Sequence, residues 1–174
     1  MALFEEITLT DSVEIRTTPE KVFDFLIHLV DDKSYRIWHP EDHIAFRWLK
    51  GKPWEEGSEV YAEEYVHGKV HKLKFIVTKV VPGKEIEYVP SSRLLRRFFP
   101  KNTFSIEPRE GSCIFTASGT YRVGWIVRTF AKKKLDHGLS GVKKHMKEEG
   151  ENLKIKRNKT QIPVFGRKGT IDHK

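Results

Sequence analysis

Between residues 44 and 123 the chain carries six runs with strand character, at 44–49, 58–66, 69–81, 85–89, 102–108 and 113–123. Turn signals divide them at Lys52-Pro53, His67-Gly68, Pro82-Gly83 and Glu110-Gly111. Parallel neighbours need long crossover connections, usually helical, whereas antiparallel ones need only tight turns. The short spacing therefore predicts an antiparallel meander. After it the hydrophobic period changes: Leu135, Leu139, Val142, Met146, Glu149 and Leu153 step by four and three, one stripe of a helix over about residues 125–158. Ahead of the meander, residues 5–16 alternate in the manner of a strand, and Thr17-Thr18-Pro19-Glu20 joins a cap to a proline suited to a first helical turn. Val22, Phe23, Phe25, Leu26 and Leu29 follow at helical spacing. Residues 35–43 (Tyr-Arg-Ile-Trp-His-Pro-Glu-Asp-His) are too broken for a long helix, yet too dense in aromatic and imidazole rings for an ordinary loop.

These elements assemble into an α+β helix-grip arrangement: a curved antiparallel sheet wrapped around a long C-terminal helix, with two short helices near the N-terminus. A cavity between sheet and helix is the expected small-molecule site. Residues 1–158 form one domain and 159–174 a basic tail. The 174 residues suffice for a single core, and 38% hydrophobic content is too apolar for a disordered chain. No apolar run is long enough to span a membrane, and the start lacks a secretory pattern, so a cytoplasmic protein is expected. One cysteine, Cys113, excludes a disulfide scaffold and is expected to be a small buried residue. The net charge of +8 raises a nucleic-acid hypothesis, but much of the excess falls after Lys143. The aromatic residues look interior rather than interleaved with Lys and Arg, which disfavours nucleic acid as a partner. Abundant Lys and Glu beside four Asn and Gln in all is a bias of proteins from hot environments.

One position of the last stripe is wrong for a core. Glu149 stands where Leu or Val belongs, with His145 four residues before it on the same helix face. A carboxylate turned inward is costly unless it is paired or metal-bound. The alternative is a slight rotation of the helix that leaves both in water beside lysines. His39 and His43 form a second cluster next to Tyr35 and Trp38. A third is Glu63-Glu64, where alternation groups Val60, Ala62, Glu64 and Val66 on one face, the better candidate for the interior. Two His and two Glu from three elements suit zinc, with iron or manganese also possible.

The Thr-Thr-Pro-Glu start, the meander and the long last helix resemble the Bet v 1-like (START or polyketide-cyclase) superfamily. More narrowly, residues 35–43 and His145-Met-Lys-Glu-Glu149-Gly-Glu-Asn-Leu resemble the 2,4-diacetylphloroglucinol hydrolase family, which includes phloretin hydrolase. That resemblance implies a zinc-dependent hydrolase acting on a carbon–carbon bond between an acyl group and a phenolic ring. It implies His43, Glu64, His145 and Glu149 as metal ligands, with Glu63 the alternative strand ligand, and Tyr35 as the residue that polarises a substrate oxygen. The characterised hydrolases carry an additional N-terminal region that this sequence lacks, so their particular substrate does not transfer. Tyr65, His67 and Tyr121 are further cavity candidates, while His28, His71, His137 and His173 receive no role. The rival expectation is a non-enzymatic carrier of a lipid or another apolar small molecule; a cyclase or a different metal hydrolase is a further one.

Overall fold

The computed structural model describes residues 4–66, 68–125 and 131–158, with the side chains of 155–158 left aside. Seven strands form one antiparallel sheet: β1 (Phe4–Ile15), β2 (His43–Lys50), β3 (Glu59–Val66), β4 (Lys69–Val81), β5 (Glu85–Pro90), β6 (Lys101–Arg109) and β7 (Ser112–Gly124). Their order is β1-β7-β6-β5-β4-β3-β2, so β2 to β7 run as the expected meander and β1 closes onto β7. Two short helices, α1 (Pro19–Ile27) and α2 (Asp32–Trp38), carry the chain from one sheet edge to the other. A third, α3 (Arg93–Phe98), bridges β5 and β6, and the long α4 (Lys132–Asn158) lies mainly against β1.

The local causes are legible. Thr18 stands at the N-cap of α1 with Pro19 in the first turn, where a missing N–H costs nothing. α2 begins in a reciprocal capping box: Asp31 Oδ1 accepts from the Ser34 amide at 2.7 Å, and Ser34 Oγ accepts from the Asp31 amide at 3.1 Å. The core lies between sheet and helices, where Leu26, Trp38, Ile86, Ile106, Phe115 and Leu153 meet. Cys113 is buried there as expected. Gly150 allows α4 to approach β1, because a Cβ at this position would come within 3.0 Å of Val13 Cγ1. Among the described residues, no helix is long and apolar enough to cross a membrane.

Two differences from the sequence reading have physical reasons. α3 has no counterpart among the expected elements, since its apolar residues face away from the core and give no packing signal. The last helix begins at Lys132 rather than near residue 125; residues 126–130, His67 and the tail at 159–174 lie outside the described residues.

Candidate metal centre

His43 opens β2 and stands directly across from Glu64 on β3, so strand pairing alone brings an imidazole and a carboxylate together. Several bonds fix the approach of α2 to this edge. The Asp32 carboxylate accepts from the Phe46 amide at 2.7 Å, the Arg36 guanidinium donates to the Ile44 carbonyl, and the His43 amide donates to the His39 carbonyl at 2.9 Å. From the other side α4 supplies His145 and Glu149 on one face, four residues apart. Trp38 of α2 anchors that helix by donating its indole N–H to the Glu149 backbone carbonyl at 3.1 Å.

The four side chains converge. His43 Nε2 lies 3.3 Å from Glu149 Oε1; His145 Nε2 lies 3.7 Å from the same oxygen and 3.8 Å from Glu64 Oε2. His43, His145 and Glu149 are buried, and Glu64 is partly so. Glu63 points the other way, taking a hydrogen bond from the Tyr61 hydroxyl and an ion pair from Lys72, which together hold its carboxyl below the usual range. The inward face expected from strand alternation, Val60, Ala62 and Glu64, is thus the observed one.

The other ring nitrogens define the protonation. His43 Nδ1 lies 3.0 Å from the Tyr35 carbonyl, which can only accept, so Nδ1 carries a proton and Nε2 is the atom turned to the cluster. His145 Nδ1 lies 3.2 Å from Asp42 Oδ2, so this ring too holds its Nδ1 proton toward an acceptor. Both Nε2 atoms are buried without a hydrogen-bond partner among the described residues. Facing two carboxylates, the Nε2 atoms call for positive charge beside them, supplied by a proton on the ring or by a metal ion. Around a tetrahedral ion with bonds of about 2.1 Å, donor atoms stand about 3.4 Å apart. His43, Glu64 and His145 each offer a donor atom within 4.8 Å of the others, a set that could hold such an ion, and Glu149 Oε1 stands beside it at 3.3 and 3.7 Å from the two imidazole nitrogens.

Burial disfavours the His145 cation, but Glu149, Glu64 and Asp42 outweigh it and raise its pKa above the ordinary imidazole value. Tyr35, 3% exposed, donates its hydroxyl to Glu64 Oε1 and stacks on the His43 ring at 3.7 Å. Burial, then the charges of Glu64 and Glu149, push its phenol well above the usual value and keep it protonated.

Two participants went unassigned in the sequence. Asp42 orients His145, and its backbone carbonyl accepts from the Tyr65 amide at 2.8 Å, tying the segment to β3. A carboxylate immediately before a candidate ligand histidine was the available signal. His39 stacks against His145 at 5.3 Å, and its pKa is lowered by burial. Its Nδ1 accepts the Asp42 amide at 3.3 Å, and its Nε2, buried without a hydrogen-bond partner among the described residues, lies 3.7 Å from both Asp42 and Glu148; His39, Asp42 and His145 form a second group that could hold an ion. Of the further candidates, Tyr65 is exposed and points away from the cluster. Tyr121 packs on Phe99 instead, its phenol pushed up to about 12 by burial.

The architecture is that of a helix-grip protein with a polar cluster set into the interior side of its sheet. The chain belongs to the polyketide cyclase/dehydrase and lipid transport family, whose profile matches residues 6–147. Solved structures share the fold at low identity. Norcoclaurine synthase from Thalictrum flavum, in complex with dopamine and hydroxybenzaldehyde, is 11% identical over 91% of this chain and 90% of its own, with a TM-score of 0.67. TTHA0849 from Thermus thermophilus is 11% identical over 89% and 99%, with a TM-score of 0.65. Major latex-like protein 151 from Panax ginseng is 12% identical over 83% and 99%, with a TM-score of 0.57. A search of curated proteins found no match.

Proposed function

We propose that this chain is a zinc-dependent hydrolase that cleaves the carbon–carbon bond between an acyl group and a phenolic, polyketide-like ring. One observation supports the metal: two imidazoles, each with its Nδ1 proton held by an acceptor, turn Nε2 atoms that lack a hydrogen-bond partner among the described residues toward inward carboxylates. His43, Glu64, His145 and Glu149 would hold the ion, which when bound supplies a Lewis acid able to polarise an acyl carbonyl.

The chain's own residues do the rest. Asp42 and the Tyr35 carbonyl keep both imidazoles in the ligating tautomer. The Tyr35 hydroxyl is committed to Glu64 at rest, leaving Glu64 Oε2 toward His145. Its own oxygen keeps a lone pair for a substrate hydroxyl, so Tyr35 would seat the phenolic group as an acceptor as well as a donor. Water adds to the acyl carbon, the carbon–carbon bond breaks with its electron pair going to the ring, and the ring carbon takes a proton. Hydroxyls ortho to the acyl group favour that departure because they stabilise charge on the ring.

The family description, which includes lipid transport, supports a second reading: a carrier of an apolar small molecule in which the polar cluster orients the ligand. Elemental analysis of the purified protein separates the two. The hydrolase reading expects about one zinc per chain and release of a carboxylic acid from acylated phenols. A metal-free protein that retains a fatty acid or isoprenoid establishes the carrier.

A further inference from the structure

We propose that the α3 rim docks onto the surface of an anionic phospholipid bilayer. Among the described residues, nine large hydrophobic side chains are exposed, and five of them, Phe4, Leu94, Leu95, Phe98 and Trp125, belong to this one region. The Phe4 ring meets Phe98 edge-on at 6.2 Å, and Trp125 follows Gly124, the cross-strand partner of Phe4. Single exposed hydrophobic residues are ordinary, whereas a grouped set marks an interaction surface.

The helix itself is inverted. At about 100° per residue, Leu94, Leu95 and Phe98 fill one arc while Arg93, Arg96 and Arg97 fill the opposite one. An amphipathic helix normally buries its apolar arc. Here no residue of α3 is buried, and Leu94 is 64% exposed. The helix is held instead by polar bonds on its basic side: Ser92 caps the Leu95 amide, and the Arg96 guanidinium donates to the Pro90 and Ser91 carbonyls. Phe99 completes the anchor by packing on Tyr121. The outward apolar arc is thereby fixed in place, with the exposed Arg97 adjoining it on the Leu94 side and the exposed Arg93 next round the helix.

Charge selects the occupant. Hydrophobic side chains bordered by arginines match the boundary between lipid tails and anionic headgroups, where each basic residue adds attraction and aromatic rings sit favourably. Nothing in this inference depends on the metal centre.

Co-sedimentation of the full chain with vesicles tests it. Vesicles with about 30% phosphatidylglycerol in phosphatidylcholine should bind the protein at least about tenfold more tightly than phosphatidylcholine alone, with the preference collapsing in about 0.5 M salt. The double variant Leu94→Asp/Leu95→Asp should lose about tenfold or more in affinity for the anionic vesicles. Its thermal midpoint should stay that of the parent, because both side chains already face water. Arg93→Gln/Arg97→Gln should weaken the same binding without altering the fold. Absence of binding by the parent overturns the proposal, as does binding that survives both variants, which would assign it to the basic tail. A parent dimer that the Leu→Asp pair converts to monomer, without vesicle binding, makes the occupant a second copy and overturns it equally.

Discussion

The buried polar cluster and the α3 rim break the same rule in opposite directions. At the centre, imidazoles and carboxylates occupy the interior; at the rim, leucine and phenylalanine occupy the surface. Each inversion is fixed by contacts of the other kind. Trp38, Phe46 and the Tyr35 ring frame the buried polar groups, while Ser92 and Arg96 hold the exposed apolar helix. A side chain whose polarity opposes its surroundings carries more functional information than one that agrees with them. The two regions also differ in cost. Water can reach the rim, whereas a group at the centre must find its partner inside the protein.

The sharpest way to break the comparison is Glu149→Leu. If Glu149 exists for a metal, this substitution should abolish metal binding, read as zinc per chain falling from about one to near zero. Stability of the metal-free protein should fall in denaturant titration, because Glu149 is the carboxylate beside both imidazoles and its loss leaves them unpaired. An unchanged or higher stability of the metal-free protein would show that Glu149 serves the ion alone. The two strand glutamates provide an internal control: Glu64→Gln should impair metal retention and Glu63→Gln should leave it unchanged.

A smaller effect is expected one layer out. Asp42→Asn keeps the shape of the side chain but removes the charge facing His145 Nδ1. Metal affinity should fall by about 10–100-fold, measured by competition with a chelator. An unchanged affinity would mean that the backbone alone orients the imidazole.

How much of this was legible in the sequence follows from the same contrast. Strand alternation and turn residues are local signals, so the meander and the inward face of β3 could be read from Val60, Ala62 and Glu64. Glu149 stood out because it interrupts an otherwise apolar helical stripe. The partnership of His43 with Glu64 is a matter of strand register, and the β2–β3 pairing has irregularities that spacing does not reveal. Asp42 escaped assignment because its role depends on a helix more than one hundred residues later. Tyr35 was legible as a member of the cluster, but its hydrogen bond to Glu64 belongs to the folded geometry. α3 was invisible for the complementary reason: a helix that turns its apolar arc outward lacks the core-facing pattern by which helices are recognised.

Next in size is the cap that holds α2, and with it Tyr35 and the approach to His43. Asp31→Ala should cost about 1 kcal/mol in stability. Hydrogen bonds from the Ser34 backbone and side chain lower the Asp31 pKa in the folded protein below its ordinary 3.8. A depressed folded value means that the contribution is fully present above the unfolded pKa and is lost as pH falls through the folded one. The parent and the variant should therefore differ at neutral pH and converge in acid below about pH 3.8, in paired denaturation curves. A difference that persists unchanged in strong acid would show that the Asp31 side chain caps the helix without its charge.

The smallest expected effect lies at the rim, and its smallness is the point. Leu94→Ser removes a large hydrophobic side chain, a change that in the core would cost several kcal/mol. At 64% exposure it gives up little burial, so stability should move by no more than about 0.5 kcal/mol. A Leu26→Ala control, at a residue with 0% exposure, should cost about 2–5 kcal/mol in the same chain. If Leu94→Ser approached that cost, the apolar arc of α3 would be packed within the fold and the contrast with the buried polar cluster would vanish. If it leaves stability intact, the chain gains nothing for its own folding from holding this leucine in water, and the reason for the residue has to lie outside the domain.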